Sequence, residues 1–117
     1  MNKEKTIFVS GNFNVLHPGH LRLLRFASEC GDKLIVGVYS DRISGKEAHV
    51  SEDLRLEGVK SNSWVHKVIL IDKLVAEVID EIRPDIVVKG KEHQNRVNPE
   101  EEALKSYGGK LLFSSGE

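Results

Sequence analysis

Short apolar runs alternate with helical patterns along the whole chain, and this alternation most constrains the fold. Five runs predict strands, at Thr6–Ser10, Lys33–Tyr39, Lys67–Ile71, Asp85–Val88 and Lys110–Phe113. Helical patterns fall between them, at Pro18–Glu29, Ser51–Val59, Leu74–Ile82 and from the N-cap Asn98 onward. The second, third and fourth runs are nearly continuous Ile, Val and Leu, as is typical of strands covered on both faces. We therefore expect an α/β protein, a Rossmann-like three-layer sandwich with a five-stranded parallel sheet.

Composition narrows the class of partner. The 117 residues suit a single domain, and the 39% hydrophobic and 30% charged content indicates a soluble globular chain. A net charge of −1 argues against bulk electrostatic binding to nucleic acid or to a membrane surface. No apolar run approaches the roughly 20 residues that span a bilayer, and no apolar segment follows the charged start, so we expect a cytoplasmic protein. Cys30 is the one cysteine, and its core spacing predicts a buried thiol.

Residues 11–20, GNFNVLHPGH, form the segment that bears most on function, a glycine turn between a strand and a helix. Pro18 suits the first helical position, because the N–H that proline lacks would be unpaired there. His17 and His20 are three residues apart, so they share one face of the helix start, where free backbone N–H groups favour an anion. This arrangement predicts a polyphosphate site. A zinc site is the alternative, but no third ligand of fitting spacing accompanies the two histidines.

The loop after the second strand holds two further candidates, because the carboxyl ends of parallel strands meet at one edge of the sheet. Lys46 follows Gly45 and is either a phosphate ligand or a solvated loop lysine. Arg55, on the next helix, either forms a surface ion pair with Glu52 or contacts phosphate.

The loop after the fourth strand is the third candidate region. Gly90 allows a base or ribose to approach the backbone closely. The role of Lys89 stays open. His93 either stacks on a base or is an exposed loop residue.

Taken together, these motifs resemble those of a known family. Residues 11–20 match the pattern G-x-F-D-x-x-H-x-G-H, in which His17-Pro18-Gly19-His20 is the HxGH signature. Residues 83–93, RPDIVVKGKEH, are similar to the family's late strand and K-G loop. The resemblance covers nearly the whole chain. It is to the cytidylyltransferase-like nucleotidyltransferases (HxGH superfamily), which include glycerol-3-phosphate cytidylyltransferase and the nucleotidyltransferase domain of ADP-heptose synthesis proteins.

The resemblance implies transfer of CMP from CTP, or AMP from ATP, to a phosphate or phosphonate monoester such as a sugar phosphate or polyol phosphate. Pyrophosphate would leave, and Mg²⁺ would be held largely by phosphate oxygens. The resemblance assigns catalytic roles to His17, His20 and Lys46. It assigns nucleotide binding to Gly11, Asn12, Phe13, Asn14, Gly19, Arg55, Lys89, Gly90 and Glu92. It implies no protein-held metal, and a homodimer stays open.

Two departures from the family pattern bear on activity. Asn14 stands where the family has aspartate, and it keeps the size and one acceptor while losing the charge, so we expect the loop geometry to be retained. The family's C-terminal S-T-S/T-T motif is absent, because Ser114 and Ser115 come too early, at the end of the fifth strand. We therefore expect residues 1–117 to be a cytidylyltransferase-like domain cut from a longer polypeptide.

Other functions remain open at this point. The first alternative is a catalytically impaired nucleotide-binding module fused to another enzyme domain, which the two departures favour. A hydrolase or pyrophosphorylase acting on the same phosphates is the second, and a mainly dimerising domain is the third. The sequence does not distinguish CTP from ATP and does not identify the acceptor.

Overall fold

A computed structural model describes residues 4–14 and 16–114 of the chain. At its centre is a sheet of five parallel strands, β1 (Thr6–Gly11), β2 (Lys33–Tyr39), β3 (Lys67–Ile71), β4 (Ile86–Gly90) and β5 (Lys110–Ser114). The strands lie in the order β3-β2-β1-β4-β5. The predicted parallel sheet is confirmed, and each strand lies within two residues of its expected bounds.

Five helices surround the sheet, α1 (Pro18–Glu29), α2 (Asp41–Ser44), α3 (Glu52–Lys60), α4 (Val75–Ile82) and α5 (Pro99–Lys105). The sequence predicts four of them, but the segment that forms α2 was expected to be a mobile loop. The short helix forms because the Ser40 hydroxyl oxygen accepts the Ile43 N–H at 3.1 Å and caps it. Single 3₁₀ turns follow β4 and α2, at Lys91–His93 and Gly45–Glu47. None of the helices in the described part of the chain combines the length and apolar character needed to cross a membrane.

The helices cover both faces of the sheet. Successive side chains of β1 point to opposite faces, so Val9 joins the core beneath α1 and α3 while Phe8 joins the core beneath α4 and α5. Leu24 of α1 and Ile79 of α4 are each fully buried in one of these two layers. This is the three-layer arrangement that the continuous apolar strands predict.

The chain leaves the central strand β1 in both directions. It runs outward through β2 and β3, then returns to the other side of β1 for β4 and β5. In open sheets of this kind, ligands bind beyond the carboxyl ends of the strands where the order reverses. Here the reversal lies between β1 and β4, so the segments that follow these two strands define the crevice.

Three details of the prediction need correction. Leu74 is expected to face the core, but it precedes α4 as its N-cap and is 69% exposed. Cys30 is half-buried at the end of α1, where its thiol donates to the Phe26 carbonyl oxygen at 3.3 Å and partial burial raises its pKa. Asn98 is the N-cap of α5 as predicted, yet its side chain makes no capping bond, so no capping box forms. Ser115 lies outside the described residues.

Candidate functional site

Three adjoining cavities open where β1 and β4 end. The first, the strand-end cleft, has a volume of about 160 Å³, and its walls include Ser10, Phe13, Val88, Lys89, Glu92 and His93. The second, the α1 cleft, has a volume of about 240 Å³, and its walls include His17, Arg22, Glu92 and Ser114. The third, the loop cavity, has a volume of about 380 Å³ beside Asn12, Asn14 and His17. His20 lines all three cavities and therefore lies at their junction.

His17 and His20 form a stacked pair at the start of α1. Their ring centroids are 3.8 Å apart, and the ring planes meet at 28°. His17 is the N-cap, and its Nδ1 accepts the Gly19 N–H at 3.0 Å. An accepting Nδ1 carries no proton, so the neutral ring is protonated on Nε2 and can donate a hydrogen bond there. Gly19 permits the cap, since a Cβ at this position would lie 2.8 Å from His17 Cε1.

Phe13 supports the histidine pair from below. Its ring is 5% exposed and lies with its centroid 5.4 Å from that of His20. The residue has a φ of 53°, in the left-handed region, which costs a non-glycine residue roughly 1–2 kcal/mol. Phe13 therefore packs under the loop, and Phe13 rather than Gly11 takes the left-handed conformation in this turn.

Asn12 and Asn14 tie the loop between β1 and α1 to the segment after α2. The Asn14 Nδ2 donates to the Glu47 carbonyl oxygen at 2.7 Å, and its Oδ1 accepts the His49 N–H at 2.8 Å. The Asn12 Oδ1 accepts the Ser44 hydroxyl at 2.5 Å. The prediction that the Asn14 amide fixes this loop is confirmed, and the donor bond is one that an aspartate could not make.

Arg55 lies behind this loop, with a side chain that is 0% exposed. Its Nε donates to the Val50 carbonyl oxygen at 2.7 Å, and its Nη1 donates to the carbonyl oxygens of Asn12 (2.9 Å) and Tyr39 (2.7 Å). Its Nη2 donates to the Asp41 carboxylate at 2.7 Å. The guanidinium therefore joins the end of β2, the β1–α1 loop and the start of α3 through backbone carbonyls.

This geometry corrects one of the two interpretations of Arg55 from the sequence. The predicted surface ion pair with Glu52 is absent; Glu52 accepts the Asp41 N–H instead, at 2.8 Å. Arg55 also lies outside the walls of the three cavities, and its contact with phosphate stays a prediction. Its hydrogen bond holds the pKa of Asp41 below the usual value.

Lys46 is exposed in the 3₁₀ turn that follows α2 and does not line the three cavities. The neighbouring residue Glu47 is bonded to Asn14, so this turn is fastened to the loop that precedes α1. Asp72, which follows β3, accepts hydrogen bonds from the Ser40 hydroxyl and from Arg42 at the start of α2. These bonds lower the Asp72 pKa. The catalytic role of Lys46 stays a prediction.

The end of β4 contributes Lys89 and Gly90 to the strand-end cleft, with Glu92 and His93 on the turn that follows. Lys89 is 17% exposed and pairs with the Glu100 carboxylate of α5 at 3.0 Å. Gly90 has an ordinary extended backbone conformation, and Glu92 folds back beside it. His93 is half-buried on the cleft wall, with its Nε2 3.6 Å from the Glu92 carboxylate. Whether these residues bind a nucleoside stays a prediction.

Sequence reasoning missed the partners of Lys89. The Lys89 ammonium donates to Asn98 Oδ1 at 2.8 Å as well as to Glu100. Asn98 and Glu100 are 6% and 2% exposed. Asn98 is predicted as the N-cap of α5, and an acid such as Glu100 is common in a first helical turn, so residue type alone concealed their contact with Lys89.

The described residues, 4–14 and 16–114, contain no group of three or more His, Cys, Asp or Glu side chains arranged to hold a metal ion. Glu92 offers one carboxylate between the strand-end cleft and the α1 cleft. Mg²⁺ is commonly bound by one or two carboxylates together with substrate phosphates. The donor set therefore fits a Mg²⁺ ion that arrives on a polyphosphate.

Comparison with proteins of known sequence gives a consistent set of relatives. The chain is 35% identical over 115 residues to the bifunctional protein HldE of Gluconobacter oxydans, covering 93% of this chain and 24% of that protein. It is 34% identical over 116 residues to HldE of Pseudomonas aeruginosa strain LESB58, covering 92% and 24%. The chain thus spans about a quarter of the length of these relatives.

A solved structure shares the fold. The lipopolysaccharide core biosynthesis protein from Thermoplasma volcanium aligns with a TM-score of 0.81 at 24% identity, covering 96% of this chain and 98% of that one. The model of the family described as cytidylyltransferase-like matches residues 8–109, a span that contains the histidine pair, the β1–α1 loop and the end of β4. The chain belongs to the cytidylyltransferase-like family.

Proposed function

We propose that this chain is a nucleotidyltransferase domain that transfers CMP or AMP from the corresponding nucleoside triphosphate to a phosphorylated small molecule. The observation that carries the proposal is the stacked pair of His17 and His20 at the start of α1, beside the strand reversal. Two imidazoles and the positive end of a helix dipole form a site suited to phosphate oxygens. Membership of the cytidylyltransferase-like family supports this assignment.

The proposed reaction is an in-line displacement at the α-phosphorus of the nucleotide. An oxygen of the acceptor phosphate forms the new P–O bond, the bond to the β-phosphate oxygen breaks, and pyrophosphate leaves with that electron pair. Such reactions depend mainly on positioning and on stabilisation of charge on the phosphate oxygens. His17 would donate from Nε2, and His20, at the junction of the three cavities, would contact the α-phosphate.

The junction at His20 divides the substrates among the cavities. The strand-end cleft has the apolar walls Phe13 and Val88 beside polar groups, which suits a nucleoside. The α1 cleft, with His17, Arg22 and the helix start, suits the phosphate chain. We assign Lys46 to the acceptor side, where its exposed side chain would extend toward the acceptor phosphate.

Mg²⁺ is proposed as the counter-ion of the triphosphate, where it would neutralise charge on the phosphate oxygens. Glu92 is the carboxylate of this chain best placed to contact it, because it lines both clefts. The residues of the chain bind and orient the phosphates, and the sugar phosphate or polyol phosphate acceptor is a proposal of substrate class.

Pyrophosphate release tests this function directly. CTP and ATP should each be incubated with Mg²⁺ and a panel of sugar phosphates, polyol phosphates and phosphonates. We expect pyrophosphate in equal amount to a new nucleotidyl product with one nucleotide and one acceptor class. Release of inorganic phosphate or of free nucleoside monophosphate without that product would instead identify a hydrolase.

The alternative function is a nucleotide-binding module with little turnover. It is favoured by Asn14, whose amide holds the loop through both its nitrogen and its oxygen and brings no negative charge to the site. A protein that binds CTP or ATP and yields no product with any acceptor in the panel would support this alternative.

A further inference from the structure

A buried polar cluster that the sequence did not predict lies against the strand-end cleft. Its members are Lys89 at the end of β4, and Asn98 and Glu100 at the start of α5; we call these three residues the Lys89 anchor. The Lys89 Nζ lies 2.8 Å from Asn98 Oδ1 and 3.0 and 3.2 Å from the two Glu100 carboxylate oxygens. Lys89 lines the cleft, whereas Asn98 and Glu100 lie behind it.

Burial of this charged cluster has a cost in desolvation free energy. Removing a carboxylate and an ammonium from water costs several kcal/mol each, and an apolar pair of similar size is often at least as stable. Glu100 is 2% exposed, and Lys89 is 17% exposed, so the pair is largely desolvated. Charge attraction and hydrogen bonds offset part of this cost, and the same bonds hold the ammonium in one place.

The Asn98 side chain belongs to this cluster and does not cap its own helix. An Asn at an N-cap ordinarily accepts a backbone N–H of the helix with its side chain, but here the side chain makes no such bond. Its Oδ1 faces Lys89, and its Nδ2 donates to the carbonyl oxygens of His93 and Arg96, both at 3.0 Å. One side chain therefore holds both the ammonium and the loop that carries the cleft wall.

The same face of the sheet supplies further polar groups next to Lys89. Ser10 and Lys89 each lie two residues beyond the paired residues Phe8 and Val87, and both line the strand-end cleft. The Ser10 hydroxyl is 3.2 Å from the Tyr39 hydroxyl, which is itself close enough to Glu100 for that charge to raise the Tyr39 pKa in addition to burial. Polar groups at the ends of β2, β1 and β4 thus form a row, in which Ser10 and Lys89 line the cleft.

We propose that Glu100 and Asn98 are positioning residues, which hold Lys89 as a fixed, charge-compensated hydrogen-bond donor for the nucleoside part of the nucleotide. This inference rests on the proposed function. Because Glu100 cancels the charge, Lys89 contributes little to attracting phosphate, which the α1 cleft receives. The ammonium instead donates to a base acceptor or a ribose hydroxyl.

The experiment compares a nucleotide with a phosphate chain that lacks a nucleoside. CTP, ATP and inorganic tripolyphosphate are titrated calorimetrically into the wild type, Glu100→Gln and Glu102→Gln. Glu102 is an exposed acid on the same helix and serves as the matched control. For Glu100→Gln we expect affinity for the preferred nucleotide to fall about tenfold or more, whereas tripolyphosphate affinity should be unchanged or higher, because the Lys89 charge is then uncompensated.

A second variant separates this role from stability. Lys89→Met combined with Glu100→Leu replaces the ion pair with apolar side chains, which offsets the loss of the donor to Asn98 Oδ1, so the melting temperature should be close to that of the wild type. Nucleotide affinity should remain about tenfold weaker, with tripolyphosphate binding unchanged. Stability close to that of the wild type together with weak nucleotide binding would not be expected if the ion pair only stabilised the fold.

Three results would overturn the inference. Wild-type nucleotide affinity in the double variant or in Glu100→Gln would show that the anchor does not serve binding, while leaving the proposed function intact. Equal losses for nucleotide and tripolyphosphate would show that Lys89 binds phosphate. Failure of the wild type to bind either nucleotide would overturn the proposed function itself, and this inference with it.

Discussion

The β1–α1 loop lies between a pair of histidines and an arginine. The histidine side chains face the clefts, whereas the arginine side chain is buried. His17 and His20 stand in the open clefts at the start of α1, where their rings stack and His17 uses one nitrogen for its own helix cap. Arg55 stands behind the loop with no exposed surface and four hydrogen bonds, three of them to backbone carbonyls. Histidines at the cleft can therefore contact a ligand, whereas the arginine binds the backbone that holds them in position.

The strongest test of this contrast is Arg55→Met, for which we expect the largest effect on stability. The substitution removes the donor to the carbonyl oxygens of Asn12 and Val50, and it leaves the Tyr39 carbonyl oxygen with only the Ser44 hydroxyl at 3.4 Å. At about 1–3 kcal/mol for each unsatisfied buried group, the free energy of unfolding should fall by about 3–5 kcal/mol. Urea denaturation measures the change, and Arg25→Met is the control, because the Arg25 side chain is 68% exposed. Unchanged stability with strongly weakened nucleotide binding would instead place Arg55 among the ligand contacts.

The opposite result is expected for the histidine pair. His20→Ala should lower kcat by about 10²-fold or more, which corresponds to about 2.7 kcal/mol, while the free energy of unfolding changes little. His17→Ala should show a similar loss of kcat and a further stability cost of about 1 kcal/mol from the lost helix cap. His49→Ala, at an exposed position outside the three cavities, is the matched control. Near-wild-type kcat in either cleft variant would contradict the role assigned to the pair.

Asn14→Asp sharpens the comparison at the boundary between the two regions. The substitution restores the residue type of the family pattern, but a carboxylate cannot donate to the Glu47 carbonyl oxygen. We expect the free energy of unfolding to fall by about 1–2 kcal/mol, measured by thermal or urea denaturation. Asn95→Asp, on an exposed loop, controls for the added charge. If Asn14→Asp is as stable as the wild type and binds nucleotide more tightly, the amide network is dispensable.

The smallest expected effect concerns pH. The Arg55 hydrogen bond lowers the pKa of Asp41, and the Ser40 hydroxyl together with Arg42 lowers that of Asp72, both from 3.8. A lowered folded-state pKa gives stability that is fully present above 3.8 and is lost as the pH falls through the lowered value. Urea midpoints measured between about pH 6 and pH 2 should therefore drop at the acid end. Asp41→Asn and Asp72→Asn should each make that drop shallower. If both variants lose stability at acid pH just as the wild type does, the lowered pKa values of Asp41 and Asp72 are not the cause.

The sequence predicts what depends on local pattern. Continuous apolar runs such as Lys33–Tyr39 predict the covered strands, and Pro18 between two histidines predicts the start of α1 at the residue where it begins. The alternation of strands and helices predicts the parallel sheet and hence the edge at which the clefts open. The Asn14 amide, polar and close to a turn, also behaves as predicted.

What the sequence does not reveal depends on contacts between distant residues. Arg55 and Asn12 are 43 residues apart, and no helical pattern indicates that the guanidinium folds inward. Glu100 has the usual appearance of an acid in a first helical turn, so its burial against Lys89 could not be read from residue type. The short helix α2 escapes prediction because four residues carry too little periodicity, and only the Ser40 cap marks its start.

The most direct test of the phosphate site is a map of amide chemical-shift changes on titration with CTP or ATP and Mg²⁺. We expect the largest amide shift changes at Gly19, His20 and Leu21 at the start of α1, and at residues 88–90 at the end of β4. The cavity at Lys60–Val68, with a volume of about 440 Å³ and walls that share no residue with the three described here, serves as an internal reference. Shifts concentrated around that cavity, with the start of α1 unaffected, would contradict the claim that the histidine pair receives the nucleotide phosphates.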